Sequence, residues 1–144
     1  MKKLKNLLLA IVIMMFATSV FAQSGTIVVT IKGIENNTGN IKIGLYNSES
    51  TFPTYGEHFK GAELKADKSG VSYTFENIPA GTYAVAVWHD ENDNKEMDKN
   101  FFGSPSESYG FSGNIYGSFG PPDFDEVSFK VISNKKTTIN IDIE

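Results

Sequence analysis

The run Thr82-Tyr83-Ala84-Val85-Ala86-Val87-Trp88-His89 is apolar at nearly every position. A strand with one wet face alternates apolar and polar residues, so this pattern predicts a central strand covered on both faces. Such a strand requires other strands beside it, and the chain supplies them. Thr26 to Lys32 places Ile27, Val29 and Ile31 on one face, and Ile41, Ile43 and Leu45 repeat the pattern after the turn Glu35 to Asn40, which predicts a hairpin. Val71, Tyr73 and Phe75 form a third run, closed by Asn77-Ile78-Pro79-Ala80-Gly81, where proline fixes φ and glycine permits a positive one. Phe124 to Ile132 and Thr137 to Ile143 alternate again around the turn Ser133 to Lys136. Six or seven short strands in about 120 residues predict an all-β fold, an immunoglobulin-like or prealbumin-like β-sandwich of about seven strands with one long ordered loop.

Two segments break the strand rhythm. Glu49 to Asp67, with Phe52-Pro53, Tyr55-Gly56 and His58-Phe59, reads as a crossover loop containing a short helical turn. Asp90 to Asp123 has no clear period over 34 residues, and loops longer than about 15 residues are usually functional or disordered. Order is the better reading. The segment holds Phe101, Phe102, Tyr109, Phe111, Tyr116 and Phe119, more aromatic mass than a solvated chain carries.

The first 22 residues combine Lys2, Lys3 and Lys5, an apolar run from Leu7 to Phe16, and Val20-Phe21-Ala22 as a small-residue cleavage site. This is the pattern of a secretory signal peptide, and its apolar run is short for a membrane span. Cleavage after Ala22 is expected, leaving a single domain over residues 23–144 that is exported to the periplasm or beyond, with no transmembrane segment. The exported part would keep ten lysines and no arginine against 17 acidic residues, a formal charge of about −7. A surface without cationic excess is ill-suited to neutralise phosphates, which excludes nucleic acid as an expected partner. There is no cysteine, so stability must come from a core and from any bound ion rather than from disulfides.

Directly after the central strand, Asp90, Asn92, Asn94 and Asp98 place side-chain oxygens at alternate positions, and Glu96 offers a main-chain carbonyl between them. A calcium ion takes six to eight oxygen ligands, and this spacing suits it. Position 12 of the frame is Phe101, so no bidentate carboxylate stands there and the pattern departs from a helical EF-hand. A carboxylate from further along would complete the shell. Glu107 leads, with Asp123 and Asp125 behind it. Lys95 occupies the position where calcium loops favour glycine, and a positive φ there costs roughly 1 kcal/mol for another residue. The competing reading is a solvated acidic turn whose Asp and Asn side chains bond nearby backbone N–H groups. Against it, five acids within nine residues repel one another with only Lys95 among them.

Several rarer pieces then occur in order. They are Gly81-Thr82-Tyr83-Ala84-Val85, His89-Asp90-Glu91-Asn92 with Asn94 and Asp98, Gly103-x-Pro105-x-Glu107, Tyr109-Gly110-Phe111-Ser112 and Pro121-Pro122-x-Phe124. Together they resemble the secreted bacterial family known as domain of unknown function 2141, over nearly the whole chain after residue 22. The resemblance implies a signal-bearing, extracytoplasmic, all-β domain whose His-Asp loop is similar to a calcium site. Such sequences often have glycine where this chain has Lys95. No activity comes with the resemblance.

Three further readings concern function. Tyr109, Phe111, Tyr116 and Phe119, spaced by glycines, either present flat faces to a glycan or an envelope protein or fold back over the sandwich. His89 invites a general-base role, yet a histidine at a strand end more often bonds a loop carbonyl, and no GxSxG, cysteine nucleophile or HExxH accompanies it. No catalytic residue is therefore assigned. The expected function is a calcium-stabilised binding or structural module of the envelope. The alternative is a hydrolase acting on an envelope polymer with carboxylates of the 90–125 loop, which demands a fixed carboxylate separation.

Overall fold

The computed structural model describes residues 23–144; the expected signal peptide, residues 1–22, lies outside the described residues. The chain forms two sheets of a β-sandwich. One holds β1 (Ser24–Lys32), β4 (Val71–Pro79) and β8 (Lys136–Asp142) in the order β4-β1-β8. The other holds β3 (Lys60–Lys65), β2 (Asn40–Tyr46), β5 (Gly81–Asp90) and β6 (Tyr109–Phe111) in the order β3-β2-β5-β6, with β7 (Phe129–Val131) also paired to β5. β1 pairs antiparallel with β4 and parallel with β8, whereas β2 is antiparallel to both β3 and β5.

The predicted hairpin of the first two runs is corrected. β1 and β2 form at the expected residues but lie in different sheets, so the connection around Gly33 to Gly39 crosses the sandwich. The reason is the shared core. Ile27, Val29 and Ile31 from one sheet join Ile41, Ile43 and Leu45 from the other in one buried cluster with Phe75, Ile78, Val85, Val87 and Ile141. A hairpin would have put both apolar faces on a single sheet. Burying each such side chain contributes roughly 1.5–3 kcal/mol, so the crossing is strongly favoured.

Three other segments differ from the sequence expectation. Glu49 to Asp67 contains β3, an edge strand whose Lys-Gly-Ala-Glu-Leu-Lys sequence carries no β-branched residue and is recruited by its pairing with β2. Phe124 to Ile132 is not one strand but a single helical turn, α1 (Phe124–Val127), followed by β7. The Glu126 carboxylate reaches back to accept the Asp123 N–H at 2.9 Å, the three-residue spacing of a capping box. The long segment after Asp90 contains β6 and a 3-10 turn over Ser112–Asn114.

β5 is the two-sided strand the sequence predicts. Tyr83, Val85 and Val87 face the inter-sheet core, and Ala84 belongs to a second cluster on the outer face with Tyr46, Phe111, Phe124 and Val127. Beside β5, Gly110 faces the core, where an added Cβ would lie 2.7 Å from Ile141 Cγ2. Glycine is needed there because the opposite sheet approaches that closely.

Candidate cation-binding loop

The outer face of β5 ends at Asp90, and the next residues turn over it. Asp90 is 0% exposed and stands opposite Asn40 in the β2–β5 register, two positions from the Lys42↔Trp88 pair. On β2's other flank Lys42 faces Glu63 of β3. Lys42 is therefore walled in, 2% exposed, with its Nζ 2.6 Å from Glu63 Oε2 and 3.3 Å from both Asp90 Oδ2 and Asp93 Oδ1. Burial by itself pushes the Lys42 ammonium down, but hydrogen bonds to Glu63, Asp93 and Asp90 outweigh it and hold the group above the usual lysine range. Hydrogen bonds from Asn40 and then Lys42 hold the Asp93 carboxyl below its ordinary value.

The loop itself is a ladder of side-chain to backbone bonds. Asp90 accepts the N–H groups of Asn94 and Lys95, each at 3.1 Å. Asn92 Oδ1 accepts the Asn94 N–H at 3.0 Å, and Asn94 Oδ1 accepts the Glu96 N–H at 2.8 Å. These are the local bonds that draw Asp and Asn to turns. Both asparagine amides then donate to Asp98, Asn92 at 2.7 Å and Asn94 at 3.0 Å. Lys95 has φ 66°, and Asp93 φ 56°, so the backbone adopts the left-handed turn that favours glycine at this place.

Glu107, the distal carboxylate proposed for the shell, bonds the loop's backbone. It is 6% exposed, with Oε1 accepting the Glu91 N–H at 3.0 Å and Oε2 accepting the Asp98 N–H at 3.2 Å. Asp90, Asn92, Asn94, Asp98 and Glu107 are thus brought together, while Glu96 is exposed and enters only through its backbone. Asp123 and Asp125 lie at the start of α1, and Glu126 bonds the Asp123 N–H there.

The fit to a cation has two sides. Among the described residues no three His, Cys, Asp or Glu side chains are placed to hold a metal ion, so any site here depends on the two asparagine oxygens as well. Every salt bridge among the described residues is made by Lys42, which serves Glu63, Asp90 and Asp93. Glu91, Glu96, Asp98 and Glu107 have no such partner.

Lys42 is the residue that reading the sequence missed. It occupies a polar position in the alternating run of Ile41, Ile43 and Leu45, and the pattern assigns it no role. The available signal was indirect. A strand paired to the two-sided β5 shares its covered outer face, so a lysine there must be buried.

His89 lies on the core side of the same strand, fully buried, and its Nε2 is 2.7 Å from the Thr38 carbonyl oxygen. This is the loop-carbonyl role. The glycine-spaced aromatics divide. Phe111 is buried in the outer-face cluster, and Tyr109 and Tyr116 pack partly buried against it, with ring centroids 5.8 and 6.3 Å from Phe111. Of the two alternatives, folding back over the sandwich holds for three of these rings: Tyr109, Phe111 and Tyr116 cover the outer face of β5 and β6, and only Phe119 of the four stands in solvent. None of the helices among the described residues is long and apolar enough to cross a membrane.

The fold and loop define a β-sandwich whose polar end is closed by a side-chain-bonded turn. The chain belongs to the family described as an uncharacterized protein conserved in bacteria (DUF2141), whose model matches residues 29–140. Comparison with curated proteins and with solved structures gives no match.

Proposed function

We propose that this chain is a non-enzymatic, exported envelope module whose 90–98 loop is stabilised by a calcium ion. What supports the reading is that the carboxylates of Asp90, Asp98 and the buried Glu107 all bond within one loop whose backbone turns left-handed at Lys95, the glycine position of a calcium loop. A cation there would displace the N–H and amide donors these oxygens now accept. Glu91, Glu96, Asp98 and Glu107 repel one another without a cationic partner, and a divalent cation among the loop oxygens offsets that repulsion. The ion's role is to order the segment from Asp90 to Tyr109, so that the sandwich presents this segment in one conformation.

Calcium titration of metal-stripped protein tests the reading. Calcium at 100 times its Kd adds about 2.7 kcal/mol, which for a domain of this size raises Tm by roughly 10 °C. EDTA reverses the shift, and Asp98→Ala abolishes it. Absence of both binding heat and a Tm shift in metal-free protein disproves the calcium role.

A further inference from the structure

β4 is a free sheet edge, and we propose that it pairs with β4 of a second copy of the chain. The contact is antiparallel and centred on Tyr73, and it joins two three-stranded sheets into one continuous sheet. β4 has a single neighbour, β1, so one row of its N–H and C=O groups is left unbonded. Among the described residues no other segment bonds the backbone of Val71 to Phe75 from that side. A cleft of about 350 Å³ lined by Lys60, Gly61 and Tyr73 to Glu76 runs along this edge and leaves it open to a partner.

The two lateral margins of the sandwich differ. On one, Tyr109 and Glu144 exchange N–H···O bonds, both at 3.1 Å, which ties β6 to the chain just after β8. On the other, β3 and β4 are both edges, spanned by the Lys60 ammonium donating to the Glu76 carbonyl at 3.1 Å. β3 carries the charges that guard an edge against pairing, Lys60, Glu63 and Lys65. β4 does not. Val71-Ser72-Tyr73-Thr74-Phe75 has no charge and no proline, and its β-branched and aromatic residues favour strand pairing.

Unpaired main-chain groups along an edge call for an extended backbone, and the side chains of β4 fit β4 itself. With Tyr73 opposite its symmetry mate, Val71 meets Phe75 of the second copy and Ser72 meets its Thr74. Val71, Tyr73 and Phe75 pack toward the core, whereas Ser72 and Thr74 are exposed. Apolar residues therefore pair on the inner face and hydroxyls on the outer one, the self-complementarity that a two-fold contact requires. Shifting the register one step sets Val71 against Asn77 or Phe75 against Ser69 and loses that match. Charge agrees with the centred register. Glu76 comes opposite Gly70 of the second copy, beside Lys32, whose Cγ lies 3.6 Å from where a Gly70 Cβ would stand. Lys32 and Lys68 are exposed and make no salt bridge, although Lys32 neighbours Asp142 in the β1–β8 register. Asp67, the acid of that turn, already accepts the Ser69 N–H and hydroxyl at 2.8 and 2.6 Å. The two copies of Glu76 stand at opposite ends of the contact, about 20 Å apart.

Sedimentation velocity on residues 23–144, which hold both hydrophobic clusters, tests the contact at about 0.15 M salt, where repulsion between two acidic copies is screened beyond about 8 Å. The proposal does not rest on the calcium reading. The unaltered chain should pass from monomer to dimer as its concentration rises, and the amides of residues 71–75 that β1 leaves free should exchange more slowly in the dimer. S72K/T74K sets lysine opposite lysine at two places and should weaken the dimer about tenfold. S72K/T74E sets lysine opposite glutamate in the same register and should restore it. Both positions are exposed, so Tm measured on dilute monomer should not change. The proposal is overturned by a chain that stays monomeric, by a dimer that S72K/T74K leaves intact, or by S72K/T74E being as weak as S72K/T74K. It is equally overturned if the 71–75 amides exchange in the dimer as they do in the monomer, a result that needs no variant to fold.

Discussion

Lys42→Met should destabilise the fold by about 3–5 kcal/mol, the cost of leaving a buried charge without its partner. Against a total stability of roughly 5–15 kcal/mol, that is enough to lower Tm severely. The cost arises at Asp90 more than at Glu63 or Asp93, because the latter two side chains are 48% and 51% exposed and regain water when the ammonium is lost. Asp90, with no exposed surface, does not. Urea unfolding of Lys42→Met and of Lys42→Met with Asp90→Asn checks this, the second change recovering part of the loss by removing the orphaned charge. A loss below about 1 kcal/mol in the single variant would show that Lys42 does not neutralise Asp90.

The pH dependence of the same cluster has a definite sign. Lys42 titrates higher in the fold than its ordinary 10.5, so its contribution is complete below that pH and disappears as pH rises through the folded value. Asp93 titrates below its ordinary 3.8, so its contribution is present above that pH and is lost as pH falls through the folded value. Both contributions should therefore persist across the neutral range. Unfolding curves collected from pH 3 to pH 11 should show stability falling toward both ends, and Lys42→Met should remove the alkaline fall attributable to this group.

Phe111→Ala should cost about 3–5 kcal/mol, the range for truncating a buried aromatic residue. The ring lies within 5.8 Å, centroid to centroid, of both Phe52 and Tyr109, in the cluster that also holds Tyr46, Phe124 and Val127. Its loss opens a cavity between β6 and the segments laid over the outer face. Thermal melts and near-ultraviolet circular dichroism read the effect. Unchanged melting would place the ring in solvent and restore it as a stacking surface.

Much of the sandwich was legible because strand pairing depends on local alternation. The period-two runs locate β1, β2, β4, β5 and β8, and the unbroken apolar run of β5 marks its two covered faces. β3 was hidden because an edge strand takes its conformation from its neighbour rather than from its own residues. α1 was hidden for a different reason: Phe124 and Val127 fit a strand's apolar face as readily as a helical turn's, and only the Asp123 to Glu126 spacing separates the two. The oxygen-bearing residues of the 90–98 loop were visible because their bonds span only two to six residues. Lys42 lies 48 residues before Asp90, and no local pattern joins them.

By itself the sequence determined an all-β chain, the strand that must be covered twice, and the polar turn that begins at Asp90. Those properties follow from side-chain periodicity and from Asp and Asn bonding their own neighbouring backbone. Only the tertiary structure decided that β1 and β2 oppose rather than pair, that Lys42 supplies the buried counter-charge, and that Phe111 is core while Phe101 and Phe102 are not. Each of those outcomes depends on which surfaces are brought together across the sandwich. Burial is a property of the assembled layers, and an alternating strand reads the same whether its second face meets water or another part of the chain.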